Sequence, residues 1–344
     1  MAPSEGVLQE MDEKTMNNVV KYVSDIRSSK VQGSENIALA TIDLLEQIIS
    51  ESEGTNALSL CNLVRAVGRH IAQALPTELP AANMVRRVLR AIRDEQRANA
   101  NQSVEGAGES LQRLVLAAPS RRATLGPAAK DLIEPIRDHI AELRAELDST
   151  TSSICSQVDR HVHADELILS YGASALVEKF LLSASTKRYR LLLAESPAMA
   201  ARLAAAGISV TVISSAAIGA LMPRVNKVLI EAAVCVAGGA ALAPAGMLAV
   251  TTAAQHRAVE VIVLSPLYSL SPLHACDRLS LVASAPAHCA LPYGGLPSLR
   301  VEAPLYDLLP PDHITFFINN SGGSSPSYIY RLLSELYDPK DYQL

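Results

Sequence analysis

Residues 166–172 read ELILSYG, an apolar run too short and too continuous for an amphipathic helix and closed by a glycine. Five further runs have the same character: YRLLLAE (189–195), SVTVIS (209–214), KVLIEAAV (227–234), VEVIVLS (259–265) and HITFFINN (313–320). Stretches of helical spacing separate most of them. Strands that are apolar along their whole length must be covered on both faces, and helices crossing over between them supply that cover. The expectation is an α/β fold whose sheet is mostly parallel with helices on both faces. The usable crevice of such a sheet lies beyond the carboxyl ends of its strands.

Upstream of this region the period is helical. Between residues 14 and about 99 the apolar positions recur at threes and fours, as in Ile37, Ala40, Ile42, Leu44, Leu45 and Ile48, then Leu58, Leu60, Leu63, Val64, Val67 and Ile71. From Asn99 to Thr124 the composition turns to Asn, Ser, Gly and Glu, which predicts a mobile surface loop with a short helical piece near Leu111–Leu116. From Pro127, the series Ile133, Ile136, Ile140, Leu143, Leu147, Ile154 and Val158 predicts a long helix linking the two halves. The chain therefore divides into a helical N-terminal domain over 1–163, which includes the long linking helix, and a sheet domain over 164–344.

The composition is that of a globular chain. Of 344 residues, 49% are apolar and 19% charged, with no Trp, so the core is built from Ala, Leu, Val and Ile. A net charge of −5 gives no general attraction to polyphosphate, and no nucleic-acid partner is expected. Cys61, Cys155, Cys235, Cys276 and Cys289 are scattered without a CxxC pair, which argues against a disulfide framework and a zinc site and implies a reducing compartment. The opening MAPSEGVLQEMDEK lacks the layout of a signal peptide, so a cytoplasmic location is expected.

Ala232–Ala254 is 23 residues without a charge, long enough to span a bilayer. It is Ala-rich, interrupted by Gly238-Gly239 and Pro244, and continues a strand, so a buried strand, turn and helix accounts for it better and no membrane partner is expected. Neither ILSYGAS (168–174) nor the Gly238-Gly239 turn has the glycine spacing of a nucleotide-binding loop, and no cofactor is expected. His161 and His163 at i, i+2 point apart on a helix and lack the further ligands of a metal set, which leaves a solvated helix end as their reading.

Two segments carry alternatives. In NMVRRVLRAIRDEQR (83–97), Val85, Val88, Leu89 and Ile92 form a core stripe, with Arg86, Arg87, Arg90, Arg93 and Arg97 around the rest beside Asp94 and Glu95. That pattern is either a solvated charged face or an arginine-rich surface for a protein partner. In NNSGGSSPSYIYRLLSELY (319–337), Ser325 can cap a helix that Pro326 begins, and Ile329, Leu332, Leu333 and Leu336 form its apolar stripe, leaving Tyr328, Tyr330 and Tyr337 at the sides. Plain capping, an aromatic protein interface and an anion site at the helix start are the three readings.

NMVRRVLRAIRDE, PRVNKVLI (223–230), PLYDLLPPDHITFFINN (304–320) and SPSYIYRLLSELY (325–337) together resemble the regulatory-subunit family of eukaryotic translation initiation factor 2B. That family has alpha, beta and delta members and is related to methylthioribose-1-phosphate and ribose-1,5-bisphosphate isomerases. The similarity runs from about residue 35 to the end, and Pro326–Tyr337 points to the beta branch. The resemblance implies a helical domain followed by a Rossmann-like one. It also implies a role inside a hetero-oligomeric guanine-nucleotide exchange factor with alpha, delta, gamma and epsilon partners, recognising the alpha subunit of initiation factor 2. Partner-binding residues on this view are Asn83, Arg86, Arg87, Arg93, Asp94 and Glu95, and the subunit interface takes Tyr328, Tyr330, Arg331 and Tyr337.

The isomerase relatives carry a catalytic Cys that aligns with Gly172 and a catalytic Asp that aligns with Ala233. An aldose–ketose shift moves protons between adjacent carbons, and neither residue here can exchange one. Glu195-Ser196-Pro197 also lacks the Arg that follows the Glu-Ser/Thr pair in the isomerases, which argues against a bound sugar phosphate. The expectation is a subunit without catalytic residues, with the isomerase as the alternative.

Overall fold

The computed structural model describes residues 12–52, 57–105, 130–275, 284–286, 288, 291–292 and 299–344. They group into two compact units, one of residues up to Leu147 together with Leu336–Leu344, the other Asp148–Glu335.

The first unit is helical: α1 (Glu13–Arg27), α2 (Ser34–Glu51), α3 (Ala57–Ala74), α4 (Leu79–Glu105) and the larger part of α5 (Lys130–Cys155). Most of the expected stripe residues are its core, with Ile42, Leu45, Ile48 and Ile49 of α2, Val64, Val67 and Ile71 of α3, and Val85, Val88, Leu89 and Ile92 of α4 all buried, while Leu58, in the first turn of α3, is exposed. α3 and α4 approach closely because Gly68 has no side chain, and a Cβ there would stand 2.6 Å from a Val85 methyl. α4 runs on to Glu105 through the stretch expected to open a loop at Asn99, since no Gly or Pro interrupts it before Gly106. The rest of that expected loop, with the piece at Leu111–Leu116, lies outside the described residues.

The second unit is built on a seven-stranded sheet in the order β11-β10-β7-β4-β1-β2-β3. Its strands are β1 (Leu167–Tyr171), β2 (Arg190–Ala194), β3 (Ser209–Ile213), β4 (Lys227–Glu231), β7 (Glu260–Leu264), β10 (Phe316–Asn319) and β11 (Gly322–Ser324). All pairings are parallel except β10 with β11. Helices α6 (Ala175–Ser183), α7 (Pro197–Ala205) and α8 (Met247–His256) lie between strands, and α9 (Ile329–Leu336) follows β11. One layer of core joins Phe180, Leu181, Met199 and Leu203 from α6 and α7 to Ile168, Leu191, Leu193, Leu229 and Ile262 of the sheet. The fold class is the one expected, a mostly parallel α/β unit after a helical region.

The run KVLIEAAV is divided: β4 stops at Glu231, and Val234 begins β5 (Val234–Val236) of a second sheet. That sheet has the order β8-β5-β6-β9, with β6 (Ala241–Pro244), β8 (Leu270–Ser271) and β9 (Tyr306–Leu309). The uncharged stretch Ala232–Ala254 thus forms β5, a glycine turn, β6 and α8, and among the described residues no helix is long and apolar enough to cross a membrane. The turn needs its glycine. Gly239 has φ +74°, and a Cβ there would meet the Pro326 carbonyl oxygen at 2.5 Å.

Candidate functional site

Because β1, β2, β4 and β7 run parallel, their carboxyl ends share one edge, which collects Tyr171-Gly172, Glu195-Ser196, Glu231 and Ser265. Gly172 holds φ +76° and Ala233 donates its backbone N–H to Leu242 in the second sheet, and neither presents a side chain that can carry a proton. The Ser174 hydroxyl accepts from the Val177 N–H at 3.0 Å, capping α6, and donates to the Glu231 carboxylate.

The start of α8 is the place on this edge best suited to a phosphate, and the chain fills it itself. Asp307 accepts from the N–H groups of Gly246 at 2.8 Å and Leu248 at 3.1 Å, so its carboxylate sits where an anion would. The Tyr171 ring lies against Gly246, where any Cβ would overlap its hydroxyl. Burial, then the charges of Glu195 and Asp307, raise the pKa of Tyr171, which keeps it a neutral phenol. The edge therefore offers a phenol, hydroxyls and the carboxylates Glu195, Glu231 and Asp307, a set that repels a sugar phosphate. Sequence reading passed over Asp307, whose only signal is an acid before the apolar pair Leu308-Leu309 in PLYDLL.

The arginine-rich helix α4 is not the solvated face that its charge pattern suggests. Asn83 and Arg86 are buried, and Arg86 donates to the Asn83 amide oxygen and to the backbone carbonyls of Asp341 and Tyr342. Arg87 makes a two-pronged pair with Glu146 at 3.0 and 2.6 Å. Arg93 makes another with Asp341 at 2.7 and 2.8 Å. Glu95 accepts from the His139 Nε2–H at 2.9 Å. Of the residues expected to face a partner, Asp94 is the one with substantial exposure, between Arg90 and Arg97 on the helix surface. The reason lies in the tertiary fold: carboxylates and carbonyls far away in sequence come to the arginines.

The closing segment also departs from its reading in two respects. Ser325 does not cap α9 with its hydroxyl, which pairs with the Ser327 hydroxyl at 3.0 Å, while Pro326 opens a single 3-10 turn ahead of the helix. Tyr337 is fully buried, because the chain leaves α9 and enters the helical unit there. Tyr330 is 67% exposed and Tyr328 40%. The exposed Arg331 guanidinium stands 5.7 Å from the centre of the Tyr328 ring and pairs with Glu335. Upstream, the Asn319 side chain accepts from the N–H groups of Ser321 and Gly322 and so shapes the β10–β11 turn. His161 is half-buried against Phe316, ring centres 5.0 Å apart, rather than solvated, and His163 lies beside Glu166.

The family model described as "Initiation factor 2 subunit family" matches residues 30–326. The translation initiation factor eIF2B subunit beta of Schizosaccharomyces pombe is 33% identical over 384 residues, covering 96% of this chain and 98% of that protein. A ribose 1,5-bisphosphate isomerase of Haloferax volcanii is 24% identical over 95% of each chain. A chain from the crystal structure of the tetrameric eIF2B-beta2-delta2 complex of Chaetomium thermophilum shares the fold, with a TM-score of 0.74 and 23% identity over 98% of this chain and 99% of that one.

Proposed function

The chain belongs to the initiation factor 2 subunit family, and we propose that it works there as a beta-type regulatory subunit of the guanine-nucleotide exchange factor for initiation factor 2. On this reading it builds the exchange-factor assembly and contributes to recognition of the alpha subunit of initiation factor 2, and it carries out no chemistry of its own. The observation that carries the non-catalytic part is the strand-end crevice. The positions that the resemblance aligns with the isomerase Cys and Asp are Gly172 and Ala233, and the Asp307 carboxylate takes up the N–H groups at the start of α8 that an anion could otherwise use.

Assembly is assigned to the exposed patch of Tyr328, Tyr330 and Arg331. Two accessible tyrosines beside an arginine offer large contact area at small entropic cost. The similar chain in a beta2-delta2 tetramer supports a delta-type subunit as the neighbour. For the substrate factor, the accessible part of α4 is the ridge Arg90, Asp94 and Arg97. Arg87, Arg93 and Glu95 contribute by holding that helix in place, and Asn83, Arg86 and Tyr337 act from inside the unit.

The test is co-expression with a delta-type subunit. The complex forms with the full chain, and Tyr330→Asp weakens it by about tenfold or more while leaving the melting temperature of the isolated chain unchanged. A complex indifferent to Tyr328→Asp and Tyr330→Asp removes the interface assignment. Turnover of ribose 1,5-bisphosphate by the purified chain would overturn the regulatory reading itself.

A further inference from the structure

Residues 337–344, YDPKDYQL, belong to the helical unit although some 190 residues of the sheet unit precede them. Their contacts are those of a bound ligand. The Asp341 side chain is fully enclosed, and its two oxygens take hydrogen bonds from Arg65 of α3 at 2.6 Å and from Arg93 of α4 at 2.7 and 2.8 Å. Arg86, 3% exposed, reads the backbone through the carbonyls of Asp341 and Tyr342, both at 3.2 Å. Three residues back, Asp338 accepts from Arg97 at 2.6 Å and from the Lys340 N–H at 3.0 Å, which sets the turn through Pro339. Tyr337 fills an enclosed position at one end of the segment. At the other end Leu344 lies over Gly68, where a Cβ would stand 3.3 Å from its methyl.

We infer that the α3–α4 face is a peptide-binding site, that its ligand class is an Asp-X-X-Asp peptide preceded by a tyrosine, and that the resident ligand is the chain's own segment 337–344. Planar guanidinium groups match carboxylates two-pronged, so four arginines reading two acids at i, i+3 and two carbonyls select both the charge and the spacing. The site is built rather than incidental: without the segment, Arg86 would lose both of its carbonyl partners in an enclosed position, and Arg65 and Arg93 would lose their carboxylate. Between Leu344 and the enclosed Tyr337 the segment is held by charge-assisted bonds at Asp338 and Asp341, contacts that a matching peptide in trans can make in its place.

The experiment compares the full chain with its Asp341→Asn variant, using a fluorescent peptide of residues 337–344 and the same peptide carrying Asp341→Asn. The variant chain, its own segment weakened, binds the wild-type peptide saturably, and the wild-type chain binds it about tenfold more weakly or less, because its site is filled. The altered peptide binds neither. Where Asp341→Asn lowers the melting temperature, saturating wild-type peptide restores it and the altered peptide does not. Equal binding of the labelled peptide to both chains, no saturable binding to the variant, or a destabilised variant that the wild-type peptide fails to rescue would each overturn the assignment.

Discussion

Replacing Arg87 by Glu separates the structural account of α4 from one in which its arginines point at a partner. Arg87 is only 10% exposed and meets a 29% exposed Glu146 through two hydrogen bonds. Losing a charge-assisted pair of this kind costs about 1.5–3 kcal/mol. Two carboxylates then face each other, worth about 4 kcal/mol of repulsion at 4 Å and an effective dielectric of 20. Glu146 relieves most of that by turning into water, which leaves a net loss of about 3 kcal/mol. In a unit of this size each kcal/mol moves the melting temperature by about 2–4 °C, so a fall of about 6–12 °C is expected in a far-ultraviolet circular dichroism melt of the full chain. The reversed pair Arg87→Glu with Glu146→Arg recovers most of it, with a coupling energy of at least about 1 kcal/mol in the double-mutant cycle. Arg90→Glu, on the exposed ridge beside Asp94, stays within about 0.5 kcal/mol. An Arg87→Glu chain that melts with the wild type, or a reversed pair that recovers nothing, would refute the reasoning. On the proposed function, weaker binding of initiation factor 2 by Arg87→Glu reports a loosened helix, whereas Asp94, on the helix surface, reports contact.

Two further outcomes follow from the packing. Gly239→Ala places a methyl against the Pro326 carbonyl at a left-handed φ, so the sheet unit loses about 2–4 kcal/mol, read as a lower denaturant midpoint at unchanged slope. Acid acts on the tail: burial pushes the Asp341 pKa up, but the hydrogen bonds from Arg93 and Arg65 outweigh it and leave the pKa below the ordinary 3.8. A carboxyl depressed on folding contributes stability that is complete above its unfolded pKa and lost as pH falls through the folded one. Stability of the helical unit therefore declines below pH 3.8 more steeply in the wild type than in Asp341→Asn, as followed by denaturation at stepped pH; parallel curves would contradict the pairing.

The apolar runs were readable as strands because a strand buried on both faces has a local signature, but KVLIEAAV supplies strands to two different sheets and SVTVIS forms the largely exposed edge strand β3. The helical stripes of α2 to α5 were nearly as plain, and that Gly172 and Ala233 carry no proton-exchanging side chain is a matter of residue type. What a charged side chain faces has no such signature. Arg86, Arg87 and Arg93 have the spacing of a solvated face, and only the return of Asp341 from 248 residues away, and of Glu146 from 59, encloses them. Tyr337 looked like its neighbours Tyr328 and Tyr330 until the chain left α9 and carried it into a different unit. Periodicity is set by the backbone within a few residues, whereas the partner of a charge is set by whichever distant segment the fold brings within 3 Å.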